Sequence, residues 1–179
     1  MNILFLGNVC PKDRESEIRK LSSYFDQPAN VLQWALLSGF DEYATIKVVT
    51  SLSIKSAHSV INGSLFSHKQ GSDDICIDMY SNTFRRKLTS GRNMYDAVMQ
   101  TGFVPDCTFV YSYTFELMSC VYKLKRKYPD TKVVVMITDL AEYMNANLGL
   151  LKYLKKVETA FCEKVMKSSV DGFVLFRNI

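Results

Sequence analysis

Glycine and proline are scarce, with 8 and 4 residues among the 179 of the chain. That scarcity excludes collagen-like and low-complexity proteins, which depend on these residues. No apolar run reaches the roughly 20 residues that a membrane-spanning helix needs, and the apolar start at residues 2–6 is too short for a signal peptide. We therefore expect one folded domain over residues 1–179, located in the cytoplasm or peripherally on the cytoplasmic face of a membrane.

Metal and disulfide signatures are missing as well. The cysteines are odd in number and scattered, without a CxxC, and the chain has only two histidines. A structural zinc site needs clustered ligands, so we expect no bound metal. We expect reduced thiols, most of them buried as small apolar side chains. The five cysteines are Cys10, Cys76, Cys107, Cys120 and Cys162.

The common signatures of phosphate binding and nucleophilic catalysis are also absent. Gly7 stands alone after the first apolar run, where a dinucleotide-binding loop would carry GxGxxG, and there is no GxxxxGK[ST] or GxSxG. A small nucleotide-binding enzyme is therefore disfavoured. Lys and Arg number 22 against 18 acidic residues, a net charge of +4, which falls short of the basic stripe of a nucleic-acid-binding protein.

Strand-like runs alternate with helical patterns along the chain. This alternation predicts an α/β fold with a Rossmann-like, doubly wound, mostly parallel sheet and helices on both faces. Residues 11–26 are predicted to form a long, mobile loop with room for a helical turn. Strands are predicted at residues 2–6, 45–52, 75–80, 108–111, 131–137 and 172–176, the fifth of them at the centre of the sheet, and helices at 84–100, 115–128 and 150–165.

A further helix is predicted to begin at its cap, Asp26, and to stop at Gly39. Within it, the side chains expected to share one face are Val31, Trp34, Ala35 and Ser38.

Asp139 directly follows the most apolar predicted strand. In a doubly wound sheet, ligands bind at the carboxyl ends of the strands, where this side chain would lie. A carboxylate there can orient or deprotonate a hydroxyl group. The alternative is that Asp139 caps the next helix or turn, and the residues alone leave both interpretations open.

Five segments, residues 2–10, 30–39, 110–114, 134–144 and 170–175, together resemble a known domain. In that order they are similar to the N-terminal domain of GT-B-fold glycosyltransferases, particularly the large retaining group called family four. In that family the N-terminal domain binds the acceptor, and a C-terminal domain binds the nucleotide-sugar donor. Retaining members carry two glutamates seven residues apart in the second domain, and this chain has no such pair. The resemblance implies an acceptor-binding half that is inactive without a donor-binding half.

The resemblance also implies the site residues. Gly7 and Asn8 would approach the donor phosphates or the acceptor, and Asn30 would line the acceptor side. Asp139 matches a position where the family often carries a His-Asp pair, so it would act as the catalytic residue or only orient the acceptor. The competing interpretations are a turn glycine at Gly7 and a surface helix residue at Asn30. The implied substrate-binding residues are Gly7, Asn8, Asn30, Tyr113, Thr138 (in place of the family's His) and Glu142.

The basic segment Arg85, Arg86 and Lys87, with apolar neighbours, predicts contact with an anionic membrane surface, at about 1 kcal/mol per basic residue. A solvated helix face is the competing interpretation. The expected partners are a sugar or lipid-linked glycan acceptor and a donor-binding domain or partner chain, without nucleic acid. The alternative functions are a non-catalytic Rossmann-like binding or scaffold domain, or one subunit of a split glycosyltransferase.

Overall fold

The computed structural model of the chain describes residues 1–21, 24–52, 54–55, 61–80, 83–137 and 152–175. Within these residues lie nine strands and five helices, with a short 3₁₀ turn at Lys12–Arg14. The strands are β1 (Asn2–Gly7), β2 (Tyr24–Phe25), β3 (Thr45–Thr50), β4 (Ile54–Lys55), β5 (Ser64–Phe66), β6 (Asp74–Cys76), β7 (Cys107–Tyr111), β8 (Lys132–Ile137) and β9 (Gly172–Leu175). The helices are α1 (Glu15–Leu21), α2 (Gln27–Asp41), α3 (Thr83–Thr101), α4 (Phe115–Lys127) and α5 (Lys152–Ser169).

The main sheet, among the described residues, has seven strands in the order β5-β6-β3-β1-β7-β8-β9. Only β5 runs antiparallel to its neighbour. The six parallel strands, numbered along the chain, follow the order 3-2-1-4-5-6 of the Rossmann fold. The predicted fold class is confirmed. The strand predicted at the centre, β8, lies instead between β7 and β9, and the central strand is β1. A strand is apolar on both faces when it has a neighbour on each side and helices above and below, and β8 meets that condition without being central.

Helices cover both faces of this sheet. On one face α1 and α2 contribute Ile18 and Leu37 to a core that contains Phe5, whose ring stacks on Phe109 at 5.6 Å. On the other face α3, α4 and α5 pack over Leu4 and its neighbours. The two cores give the sheet a rigid frame, from which the loops at its carboxyl edge project.

Gly91 lies where α3 meets α4. A Cβ atom at this position would lie 2.6 Å from the Glu116 carbonyl oxygen and 2.7 Å from the Ser119 Cβ. The glycine therefore allows close helix packing, and the helix continues through it.

The prediction of a long loop over residues 11–26 was wrong. This segment contains the 3₁₀ turn, α1 and β2. Ile18 is fully buried, and the Arg14 guanidinium donates from Nη1 to the Asn62 carbonyl oxygen at 2.7 Å and to Ser64 Oγ at 3.1 Å. One buried apolar side chain and one arginine thus anchor a segment whose polar composition is typical of a loop.

Helix α2 begins at its predicted cap, since Asp26 Oδ1 accepts the Ala29 N–H at 3.2 Å. It continues past Gly39 to Asp41, and its predicted face was wrong. Val31 is 58% exposed. The buried residues of the helix are instead Asn30, Gln33 and Leu37, because polar groups of a neighbouring loop need partners on that side.

No helix among the described residues is long and apolar enough to cross a membrane. The five cysteines are free thiols, and all but the half-buried Cys107 are buried, as expected. Burial raises the pKa of Cys10 to about 12. A thiol protonated in this way is a poor nucleophile and a poor metal ligand.

Candidate functional site

The candidate site lies at the carboxyl edge of the sheet. In a strand order of this type the chain winds outward from the first strand in both directions, so the ligand crevice is expected between the ends of β1 and β7. The chain after β1 begins at Asn8, and the chain after β7 begins at Ser112. We call residues 8–11 the first loop, and the crevice beside it the switch-point crevice.

Two backbone donors of the first loop, the N–H groups of Asn8 and Cys10, are bound by side chains of α2. The Asn8 N–H donates to Gln33 Oε1 at 2.8 Å, and the Cys10 N–H donates to Asn30 Oδ1 at 2.9 Å. Gln33 is only 1% exposed and Asn30 only 5%. In a dinucleotide-binding loop such N–H groups point at the phosphates of the ligand. Here both donors already have protein partners.

The carbonyl groups of this region also have partners. Thr50 Oγ1, at the end of β3, lies 3.0 Å from the carbonyl oxygens of both Gly7 and Val9. The indole N–H of Trp34 donates to the Cys10 carbonyl oxygen at 3.2 Å. Side chains from α2 and β3 therefore hold the first loop in one conformation.

Gly7 is required by this packing. A Cβ atom there would lie 2.5 Å from Gln33 Oε1 and 2.6 Å from Phe5 Cε1. Contacts this short force neighbouring atoms to shift, so a side chain at this position would displace the amide that holds the first loop.

Ser112 has a φ of 78°, in the left-handed region that residues other than glycine rarely adopt. Its N–H donates to the Met136 carbonyl oxygen at 2.9 Å, which ties the end of β7 to β8. The next turn begins α4, where Thr114 is the N-cap. Strained backbone of this kind concentrates at functional sites, and here it lies on one wall of the switch-point crevice.

The structure places three of the implied site residues at the carboxyl ends of β1 and β7. Gly7 and Asn8 lie at the end of β1, and the half-buried Tyr113 follows the end of β7. Asn30 is buried beneath the first loop, so the interpretation as a surface helix residue was wrong. A direct contact of Asn30 with an acceptor stays a prediction. Thr138, Asp139 and Glu142 lie outside the described residues.

Sequence reasoning missed several residues of this site. The most informative is Gln33, which lies three residues after Asn30 and four before Leu37. Asn30, Gln33 and Leu37 have the i, i+3, i+7 spacing of residues on one helix face. Two amides that share a helix face with a leucine are the signal that could have identified Gln33. Trp34 and Thr50 were missed as well. Ser112 lies in the predicted segment 110–114 but was given no role, and only the fold brings these residues together.

The predicted membrane-contact residues lie in the first half of α3. The Arg85 guanidinium lies over the Tyr80 ring at 4.1 Å. Lys87 Nζ is 2.6 Å from both carboxylate oxygens of Glu158 on α5. Part of this positive charge is therefore neutralised within the protein, and contact of Arg85, Arg86 and Lys87 with a membrane stays a prediction.

In the part of the chain that the structure describes, no group of three or more His, Cys, Asp or Glu side chains is arranged to hold a metal ion.

Comparison with known proteins adds no relative. A scan against models of protein families found no match, and searches of curated proteins and of solved structures found none either.

Proposed function

We propose that this chain is the acceptor-binding half of a glycosyltransferase. In this proposal the switch-point crevice receives a sugar or a lipid-linked glycan, and a donor-binding domain or partner chain supplies the nucleotide sugar. The resemblance of five ordered segments suggested this function, and the strand order is compatible with it. Because one fold hosts many functions, the proposal depends on the site itself.

The occupied first loop is the observation that carries the proposal. A Rossmann-like sheet normally binds a nucleotide through the free N–H groups after its first strand. Here the N–H groups of Asn8 and Cys10 are bound by Gln33 and Asn30. A first loop in which these two N–H groups are already bound suits a neutral glycan better than a nucleotide diphosphate.

Individual residues take distinct roles in the proposal. Tyr113, half-buried at the crevice, would stack against the face of a sugar ring. Asp139 would orient or deprotonate the acceptor hydroxyl group, with Thr138 and Glu142 beside it along the chain. The basic start of α3, near Arg85, would bring the crevice close to an anionic membrane that carries the acceptor.

A glycan array followed by calorimetric titration tests this proposal. We expect the chain to bind one class of glycan and to ignore UDP, GDP and their sugar conjugates. Tyr113→Ala should weaken glycan binding about tenfold, equivalent to about 1.4 kcal/mol. Tyr122→Ala is the matched control, because this tyrosine is 41% exposed on α4. Nucleotide binding without glycan binding would refute the proposal, and binding of neither ligand would favour a non-catalytic scaffold.

The role of Asp139 needs its own test. With a donor-binding half supplied, Asp139→Ala should abolish sugar transfer while leaving the thermal unfolding midpoint unchanged. Sugar transfer at a rate close to that of the unsubstituted chain would show that Asp139 has no catalytic role and only caps the next helix or turn.

A further inference from the structure

A buried histidine lies between two carboxylates, away from the switch-point crevice. His68 Nδ1 is 2.5 Å from Asp74 Oδ2, and His68 Nε2 is 3.1 Å from Asp41 Oδ1. The side chains of His68 and Asp74 are fully buried, and that of Asp41 is 19% exposed. Both ring nitrogens face carboxylate oxygens, and only the charged imidazolium can donate to both.

Other groups around this cluster fix its charge balance. Lys69 Nζ is 2.7 Å from Asp41 Oδ1. Asp74 also accepts the Val48 N–H at 2.9 Å and the Ser72 hydroxyl at 2.8 Å. With His68 charged, two cations face two carboxylates. Loss of the imidazole proton leaves one uncompensated negative charge in a buried place, which is costly.

Further charges lie at the edge of the cluster. Lys47 of β3 donates from Nζ to the Asp73 carbonyl oxygen, and the Asp73 side chain belongs to the exposed turn before β6. The Lys47 ammonium group therefore binds a backbone carbonyl oxygen rather than a carboxylate of the cluster.

The pKa shifts have the directions that this geometry requires. Burial alone would lower the pKa of His68, but the hydrogen bonds with Asp74 and Asp41 outweigh burial and raise the pKa above 6.5. Burial would raise the pKa of Asp74, but its bonds from His68 and from the Val48 N–H hold that pKa below its usual value. Both shifts favour the charged forms of the pair.

The cluster joins three parts of the fold. Asp41 ends α2, His68 lies in the turn between β5 and β6, and Asp74 begins β6. We call β5, this turn and β6 the edge hairpin. Its Phe66 ring packs edge-on against Trp34 at a centroid distance of 6.4 Å, and its Ser64 accepts a bond from Arg14. Trp34 in turn holds the first loop.

We propose that charged His68, clamped between Asp41 and Asp74, is a pH-sensitive latch that seats the edge hairpin against α2 and β3. Loss of its proton weakens both contacts of the ring and frees the hairpin, which loosens the packing around Trp34. The latch stands apart from the proposed glycan site and does not require it.

The sign of the effect follows from proton linkage. A histidine whose folded pKa is raised stabilises the closed hairpin fully below pH 6.5, and this stabilisation is lost as pH rises through the folded pKa. Between these two values the opening constant of the hairpin should rise about tenfold per pH unit, because opening releases one proton. At low pH the latch fails in a second way, when Asp74 becomes protonated.

The unsubstituted chain provides the first test by NMR at a series of pH values. The imidazole signals give the pKa of His68, and His58→Gln assigns them, since the chain has only two histidines. Amide exchange of Phe66, compared with Leu4 and Phe5 in β1, gives the opening of the hairpin. We expect a titration above pH 6.5 and a matching loss of protection confined to the hairpin. A titration at or below 6.5, or hairpin protection that tracks β1, would overturn the latch.

A substituted chain provides the second test. His68→Gln should open the hairpin at least tenfold more often at pH 6, and it should remove the pH dependence seen above that value. His58→Gln should retain that pH dependence. Fluorescence of the single tryptophan, Trp34, follows the same opening independently, because its ring packs on Phe66. Hairpin opening in His68→Gln that still rises tenfold per pH unit would overturn the latch.

Discussion

Replacing Gln33 by leucine isolates the contact that holds the first loop. Gln33→Leu keeps the approximate size of a side chain that is 1% exposed, and it removes the acceptor of the Asn8 N–H. It also removes the bond from Gln33 Nε2 to the Ala29 carbonyl oxygen. A buried donor left unpaired costs about 1–3 kcal/mol. Asn8 is half-buried, so water recovers part of this energy, and we expect a loss of about 1–2 kcal/mol.

Urea denaturation followed by far-ultraviolet circular dichroism measures this loss. With a slope of about 2 kcal/mol per molar urea, the midpoint should fall by about 0.5–1 M. Gln100→Leu is the matched control, because this glutamine is exposed on α3 and its change should stay within about 0.5 kcal/mol. Equal midpoints for the two variants would refute the claim that Gln33 holds the loop.

Three further predictions concern stability. Thr108→Val should raise the free energy of unfolding by about 1 kcal/mol in urea melts, because its buried hydroxyl has no hydrogen-bond partner among the described residues; a destabilised variant would contradict this. Gly7→Ala should cost about 1–3 kcal/mol in the same assay, since the added carbon would lie 2.6 Å from Phe5, and an unchanged midpoint would show that the loop adapts. The Val133 N–H and two lysines lower the pKa of Asp171 to about 2. Asp171→Asn should therefore have a lower free energy of unfolding than the unsubstituted chain at pH 5, and the two values should converge as pH falls through about 2. A difference that is independent of pH would exclude this ion-pair effect.

Much of the fold could be predicted from the sequence because its strands are short apolar runs. Residues 108–111 and 131–137 were predicted as strands and correspond to β7 and β8 within one residue at each end. Buried parallel strands are apolar on both faces, so composition alone marks them. Right-handed crossovers decide which face of the sheet each helix covers, but the strand order itself came from the structure.

The predictions failed where polar residues are buried. α1 was not predicted because its one buried residue, Ile18, does not make a hydrophobic pattern of helical period. The buried face of α2 was assigned by apolar spacing, whereas Asn30 and Gln33 occupy it as partners of backbone groups. Periodicity counts hydrophobic residues and cannot recognise an amide whose partner lies twenty or more positions away in the chain.

The candidate site could be predicted only in part. The sheet rule places it at the carboxyl edge, where the segments after β1 and β7 lie, and that location stays a prediction. The positive φ of Ser112 carries no sequence signature, because serine gives no hint of a left-handed conformation. The His68 cluster joins residues 41, 68 and 74, and only the seating of the edge hairpin on α2 brings them together.

The most direct test of the central claim is to map, by NMR, where a bound glycan lies. The chain labelled with ¹⁵N would be titrated with the tightest glycan from the array, and separately with UDP and GDP. We predict that the glycan shifts the amide signals of Asn8, Ser112 and Tyr113, and that neither nucleotide shifts the signals of residues 8–10. Nucleotide-induced shifts at residues 8–10, or a glycan footprint away from the carboxyl edge of the sheet, would contradict the acceptor-binding function.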